Sequence, residues 1–204
     1  VVAYLGVVPF IATLGMQYAV RGVALVYTGG RPINALTTAF TNLGKGYAGP
    51  IPVPVIIFAI VALISWFFLA KTQFGRYIYA IGGNEKAALV SGLRVKQLKF
   101  LSYVINGMTA ALAGILLAAR VAVGSPTAGE SYDLLAITAV VVGGTSNAGG
   151  TGGILPSIIG VFIVTVMNNG MDLLGISGYY QKIVTGVVVL LAVIIDRNNV
   201  NRNH

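Results

Sequence analysis

Apolar residues along this chain gather in long runs without a single Asp, Glu, Lys or Arg: residues 1–20, 46–70, 100–119 and 134–171. A helix that spans a bilayer needs about 20 predominantly apolar residues, so each run is long enough to cross. The last, at 38 residues, is long enough to cross twice, and the Gly-rich stretch GGTSNAGGTGG at 143–153 falls near its middle. A shorter uncharged run of 13 residues, 183–195, lengthens if it begins at Tyr179, with Tyr180 as an interfacial aromatic and Lys182 snorkelling its ammonium to the headgroups. The pattern predicts an all-α fold, a polytopic transmembrane helical bundle of about six segments forming one membrane domain over residues 1–204.

One segment is a candidate discontinuous span. Residues 134–142 would rise only about 14 Å as a helix, roughly half the hydrocarbon thickness, before the glycines begin. A half-helix followed by Gly-rich backbone marks a broken membrane helix; the alternative is an ordinary helix extended through residues 145–148. Glycines also recur seven apart, at Gly15 and Gly22, Gly107 and Gly114, and Gly153 and Gly160. Seven residues is about two helical turns, so each pair shares a face on which another helix can approach closely.

Composition supports the membrane reading. The chain is 56% hydrophobic and 9% charged, with mean hydropathy +0.87, whereas a soluble domain is roughly 25% charged. The formal charge of +8 is spread unevenly. Residues 71–99 hold six of the thirteen basic side chains and one acid, Glu85. Bases in short loops beside apolar runs follow the positive-inside rule, so the charge points to a bilayer and not to nucleic acid. Placing 71–99 in the cytoplasm makes 29–52 and 120–133 external, and returns Arg197 and Arg202 to the cytoplasm if 134–142 counts as a crossing. With no cysteine and one histidine, His204, no metal site, cofactor site or catalytic centre is expected. The chain starts at Val1 without a Met or a signal-like segment, and is expected to lack its N-terminal part.

The basic loop carries its own helix signal. In GGNEKAALVSGL at 82–93, Asn84 can N-cap, Glu85 suits the positive end of the helix dipole, and Gly92 can close the helix in a left-handed conformation. Ala87, Ala88 and Leu89 add small and apolar surface. A helix this short is marginal in water, because nucleation is costly and few hydrogen bonds follow. It must pack on something: a partner, or its own membrane domain.

Three stretches, TQFGRYIYAIGGNEKAALVSGL at 72–93, YDLLAITAVVVGGTSNAGGTGG at 132–153 and NNGMDLLGISGYYQKIVTG at 168–186, resemble the permease subunits of bacterial ABC sugar importers of the ribose and xylose type. PFIATLG at 9–15 resembles the same proteins, and the likeness runs through essentially the whole chain in order. It implies a multi-pass permease in the bacterial cytoplasmic (inner) membrane, with further helices before Val1. It also implies a second permease copy in a homodimer, a periplasmic sugar-binding protein that delivers monosaccharide, and a separate ATP-binding cassette subunit. The loop helix then corresponds to the coupling helix, with Asn84, Glu85, Lys86, Ala87, Ala88, Ser91 and Gly92 at the ATPase contact. The chain departs from the family pattern at Leu135, Thr138 and Asn147, where an acid, an alanine and an apolar residue are common; the resemblance therefore specifies monosaccharide rather than one sugar.

No nucleotide site is legible in the chain itself. A Walker A loop needs GxxxxGK before Ser or Thr, and Gly150 stands where the lysine should be. A sugar path needs hydrogen-bonding groups at membrane depth, for which Asn106, Thr138, Asn168 and Asn169 are the candidates; bonds between helices are the alternative role for each. Arg21, Glu130, Asp133 and Asp172 read as boundary charges. A secondary transporter or a passive facilitator for small polar solutes is the competing class, although no buried acid or inverted repeat supports the first.

Overall fold

A computed structural model describes the backbone of residues 1–202 and the side chains of residues 1–194. The side chains of Arg197 and Arg202, and all of His204, lie outside the described residues. The elements are α1 (Val2–Leu5), α2 (Pro9–Thr28), α3 (Thr38–Lys45), β1 (Tyr47–Ala48), β2 (Ile51–Pro52), α4 (Val53–Lys71), α5 (Gln73–Gly83), α6 (Glu85–Val90), α7 (Val95–Val121), α8 (Tyr132–Val142), α9 (Ile154–Leu173) and α10 (Gly178–Arg202). Among the described residues, α2, α4, α7 and α9 are the four helices long and apolar enough to cross a membrane; α8 and the stretch Gly178–Ile194 of α10 are apolar but shorter. The fold is the expected all-α, polytopic bundle.

The helices turn their apolar side chains outward. Val26 and Tyr27 on α2 are each 85% exposed, and Leu63 on α4 and Val166 on α9 are exposed as well. Water would penalise such faces, whereas hydrocarbon does not, and a helix keeps its backbone polar groups satisfied there without a neighbour. At the end of α4 the Lys71 ammonium lies 5.9 Å from the centre of the Trp66 ring, a cation–π pair suited to an interfacial position.

Chain contacts divide into two compact units. The first comprises residues 1–63 and 94–130. Its first long helix is shifted from the expected 1–20. Gly6, at φ 68°, ends α1 after four residues; Pro9 then takes the first-turn position of α2, which runs to Gly29 in a left-handed cap. Likewise the apolar run 46–70 does not start as helix. Tyr47–Ala48 and Ile51–Pro52 pair antiparallel across a turn at Gly49, and α4 begins only at Val53. α3 lies against the end of α7 at Gly44, where an added methyl would overlap the backbone of Ala119 and Arg120, and Ala119 is fully buried. Backbone bonds of 2.9 Å in both directions join Ile33 to Gly124. Arg21, inside α2, reaches Glu130 at 3.8 Å as a partly exposed pair.

The second unit comprises residues 64–93 and the chain from 131 onward. Its centre is the crossing of α8 and α9, where Thr138, Ala139, Val141 and Val164 are buried. A methyl built on Gly160 would overlap the Ala139 carbonyl, and one on Gly143 would overlap the Pro156 carbonyl. The two backbones touch, so glycine at these positions is what permits the crossing. Of the glycines spaced seven apart, Gly160 alone makes such an approach among the described residues. Gly153 meets only the Pro156 ring at 3.5 Å, while Gly15, Gly22, Gly107 and Gly114 meet nothing within 4 Å.

Candidate functional site

Between the end of α4 at Lys71 and the start of α7 at Val95, the basic loop folds as two helices joined by one residue. α6 spans Glu85–Val90, and Asn84 caps it as expected, its Oδ1 accepting from the Ala87 amide at 3.0 Å. At the other end Gly92 takes φ 81°, the Leu93 amide donates to Ala88 O at 3.2 Å, and the Ser91 hydroxyl donates to Ala87 O at 2.9 Å. Several of its terminal donors and acceptors are thus met by its own neighbours, which helps to hold a six-residue helix that propensity alone would not.

α6 turns one residue inward and most of its surface outward. Ala88, expected at a partner contact, is 5% exposed, so its methyl is part of the chain's own interior. Asn84, Glu85, Lys86, Ala87, Ser91 and Gly92 are exposed, and the apolar surface presented outward belongs to Leu89 at 63% and Val90 at 88%. Sequence reasoning missed Val90 because a short apolar run does not reveal which side of a helix faces inward.

It also missed α5. Phe74, Tyr77, Ile78 and Ile81 recur at helical spacing behind Thr72, a signal obscured by the bases around it. Those four side chains are half-buried or buried.

The glycine stretch sits at the C-terminal end of α5. α8 stops at Val142, Gly144 turns to φ 95°, and residues 145–148 are not helical, so the half-helix alternative describes the structure and the extended helix does not. Eleven residues give α8 a rise of about 16 Å. Within the loop the Ser146 amide donates to Thr151 O at 3.2 Å, and the Gly153 amide donates to Thr145 Oγ1 at 3.4 Å. Thr145 Oγ1 also lies 3.3 Å from Ser157 Oγ on α9. The Tyr79 hydroxyl of α5 donates to Gly152 O at 2.9 Å. No lysine and no preceding strand accompany this loop, and its glycines serve turns and close packing.

The candidate sugar-path residues are divided between the two units. Thr138 is 1% exposed and its hydroxyl donates to Leu134 O at 2.6 Å within its own helix. It is packed at the α8–α9 crossing. Asn168 and Asn169 lie about two turns beyond Gly160 on α9, half-buried and exposed respectively. Asn106 is exposed on α7, in the other unit. Asp172 Oδ1 accepts from Gln181 Nε2 at 2.7 Å, a pairing that suits a boundary carboxylate.

Comparison with known proteins bears on these elements together. A family model described as "Branched-chain amino acid transport system / permease component" matches residues 1–193. The ribose import permease protein RbsC of Bacillus subtilis (strain 168) is 52% identical over 191 residues, covering 93% of this chain and 59% of that protein. RbsC of Escherichia coli (strain K12) is 50% identical, covering 92% and 60%. The galactose/methyl galactoside import permease protein MglC of Haemophilus influenzae is 41% identical over 203 residues, covering 96% and 60%. The chain thus spans about 60% of the length of these curated relatives. No solved structure gives a significant match. With a family match over nearly its whole length and relatives at half identity, this chain belongs to the permease-component family of the branched-chain amino acid transport type, beside the ribose import permeases.

Proposed function

We propose that the protein is the membrane-spanning permease subunit of an ATP-driven monosaccharide importer in the bacterial cytoplasmic membrane. The family description names branched-chain amino acids, but the relatives compared are named for ribose and galactose import, and they support a sugar as the substrate. ATP is hydrolysed on a separate ATP-binding cassette subunit. A second permease copy completes the translocation path, and a periplasmic binding protein delivers the sugar. Asn106, Thr138, Asn168 and Asn169 are the candidate polar groups along that path.

One observation carries the proposal: a self-capped helix in the basic loop that turns Leu89 and Val90 outward. In this reading α6 is the coupling helix, seated in a groove of the ATP-binding subunit through Leu89, Val90 and the exposed polar residues from Asn84 to Gly92. Closure of two such subunits would displace α6 and reorient the spans attached to it, which is alternating access by rigid-body movement.

Copurification of the ATP-binding subunit with a Val90→Arg permease tests this. Burying a valine fully is worth about 1.5–3 kcal/mol, so its loss weakens association roughly ten- to a hundredfold. We expect membrane insertion to persist and copurification to fail. Unchanged copurification would overturn the assignment of α6.

A further inference from the structure

The end of α5 and the glycine loop are in backbone-to-backbone contact, and no side chain lies between them. A Cβ added at Gly82 would meet the Gly150 nitrogen at 2.6 Å and its Cα at 3.3 Å; one added at Gly149 would meet Gly82 O at 2.8 Å. Glycine is needed twice over, since Gly149 and Gly150 also sit at φ 94° and 78°, where L side chains are strained. One turn before Gly82, on the same face of α5, Tyr79 fastens the loop through its bond to Gly152 O at 2.9 Å.

Both sides of this junction are stiff. Asn84 alone separates α5 from α6, and it is itself fixed as the cap of α6. On the other side Thr145 and Ser157 tie the loop to the first turn of α9, and the crossing at Gly143 and Gly160 ties α9 to α8. A displacement of α6 therefore has little slack to absorb it before it reaches the break between α8 and α9. Packed backbones rearrange between discrete arrangements and do not deform smoothly, so such a junction transmits movement.

We propose that the Gly82–Gly150 contact, latched by Tyr79, is the point where movement of the coupling helix becomes movement of the broken helix pair, with Tyr79 and Gly82 as positioning residues for transport. This rests on the assignment of α6 as the coupling helix.

The test separates the two. In proteoliposomes holding the intact permease, its ATP-binding subunit and the binding protein, D-ribose taken up per ATP hydrolysed is measured for Gly82→Ala, Tyr79→Phe and Gly83→Ala. A methyl on Gly83 meets nothing within 4 Å and serves as the neighbouring control. We expect Gly82→Ala to copurify normally and hydrolyse ATP while sugar moved per ATP falls about tenfold, within the usual range of coupling energies. Tyr79→Phe should fall in the same direction, and Gly83→Ala should match the parent.

If Gly82→Ala does not assemble, Tyr79→Phe, which removes one oxygen and adds no atom, decides alone. A parental ratio in Tyr79→Phe, an equal loss in Gly83→Ala, or uptake and hydrolysis falling together would overturn the junction's role. Failure of the α6 assignment shows itself separately, as unchanged copurification in Val90→Arg.

Discussion

Replacing Gly160 by alanine should destabilise the second unit, and the size of the effect follows from the α8–α9 crossing. The added methyl would lie 2.7 Å from the Gly143 nitrogen and 2.9 Å from the Ala139 carbonyl carbon, with the Ala139 oxygen closer still. Ordinary contact begins near 3.4 Å. Every one of these neighbours is backbone of α8 or of Gly143, its C-cap, so no rotamer change relieves the overlap, and the two helices must separate along a seam that buries Thr138, Ala139, Val141 and Val164. Overpacking a filled interior costs about 1–3 kcal/mol. Alanine in place of glycine returns up to about 1 kcal/mol of helix propensity. The clash wins, because the propensity gain is capped while separation of the helices also opens voids beside the crossing. A net loss of about 2 kcal/mol corresponds to a fall of roughly 4–8 °C in apparent Tm for a chain of this size. The assay is thermal unfolding of the detergent-purified permease at one fixed scan rate, with Gly107→Ala and Gly114→Ala as controls, whose methyls meet nothing within 4 Å. An apparent Tm for Gly160→Ala equal to that of the controls would show that the α8–α9 crossing has room for the methyl.

Three further outcomes are expected. Asn84→Ala removes the 3.0 Å cap on α6 and should cost about 1 kcal/mol of local stability, read as faster amide exchange across 85–90 with exchange in α9 unchanged. Gly44→Ala should loosen α3 from α7, because the methyl overlaps Ala119 and Arg120 backbone; limited proteolysis within residues 31–52 should accelerate, and an unchanged rate counts against that packing. Cysteines placed singly at Lys86 and Lys99 should resist an impermeant thiol reagent applied outside intact cells, whereas one at Lys45 should react; outside labelling at position 86 would invert the topology.

How far the sequence could be read depended on whether each signal was local. Asn84 and Gly92 act within one helical turn, and the cap and the left-handed residue stand where the residue types place them. The break after Val142 was one of two open alternatives, since hydropathy does not show where a helix stops inside an uncharged run; the glycine conformations decide it. The start of α2 was misplaced for a related reason, because run length ignores punctuation: Gly6, Pro9 and Gly29 define the helix better than its apolar content does. The basic residues around α5 mask its helical signal, although Phe74, Tyr77, Ile78 and Ile81 carry its period. The burial of Ala88 and Thr138 and the approach of Gly82 to Gly150 depend on tertiary neighbours, which no local pattern encodes.

The proposed ATP-driven sugar import is tested by accumulation of radiolabelled D-ribose in proteoliposomes containing the intact permease, from which ATP, the ATP-binding subunit and the binding protein are withheld one at a time. Accumulation above the outside concentration that requires all three is the predicted result. Ribose that equilibrates across the membrane at the same rate whether or not ATP and the ATP-binding subunit are present would identify a passive facilitator instead.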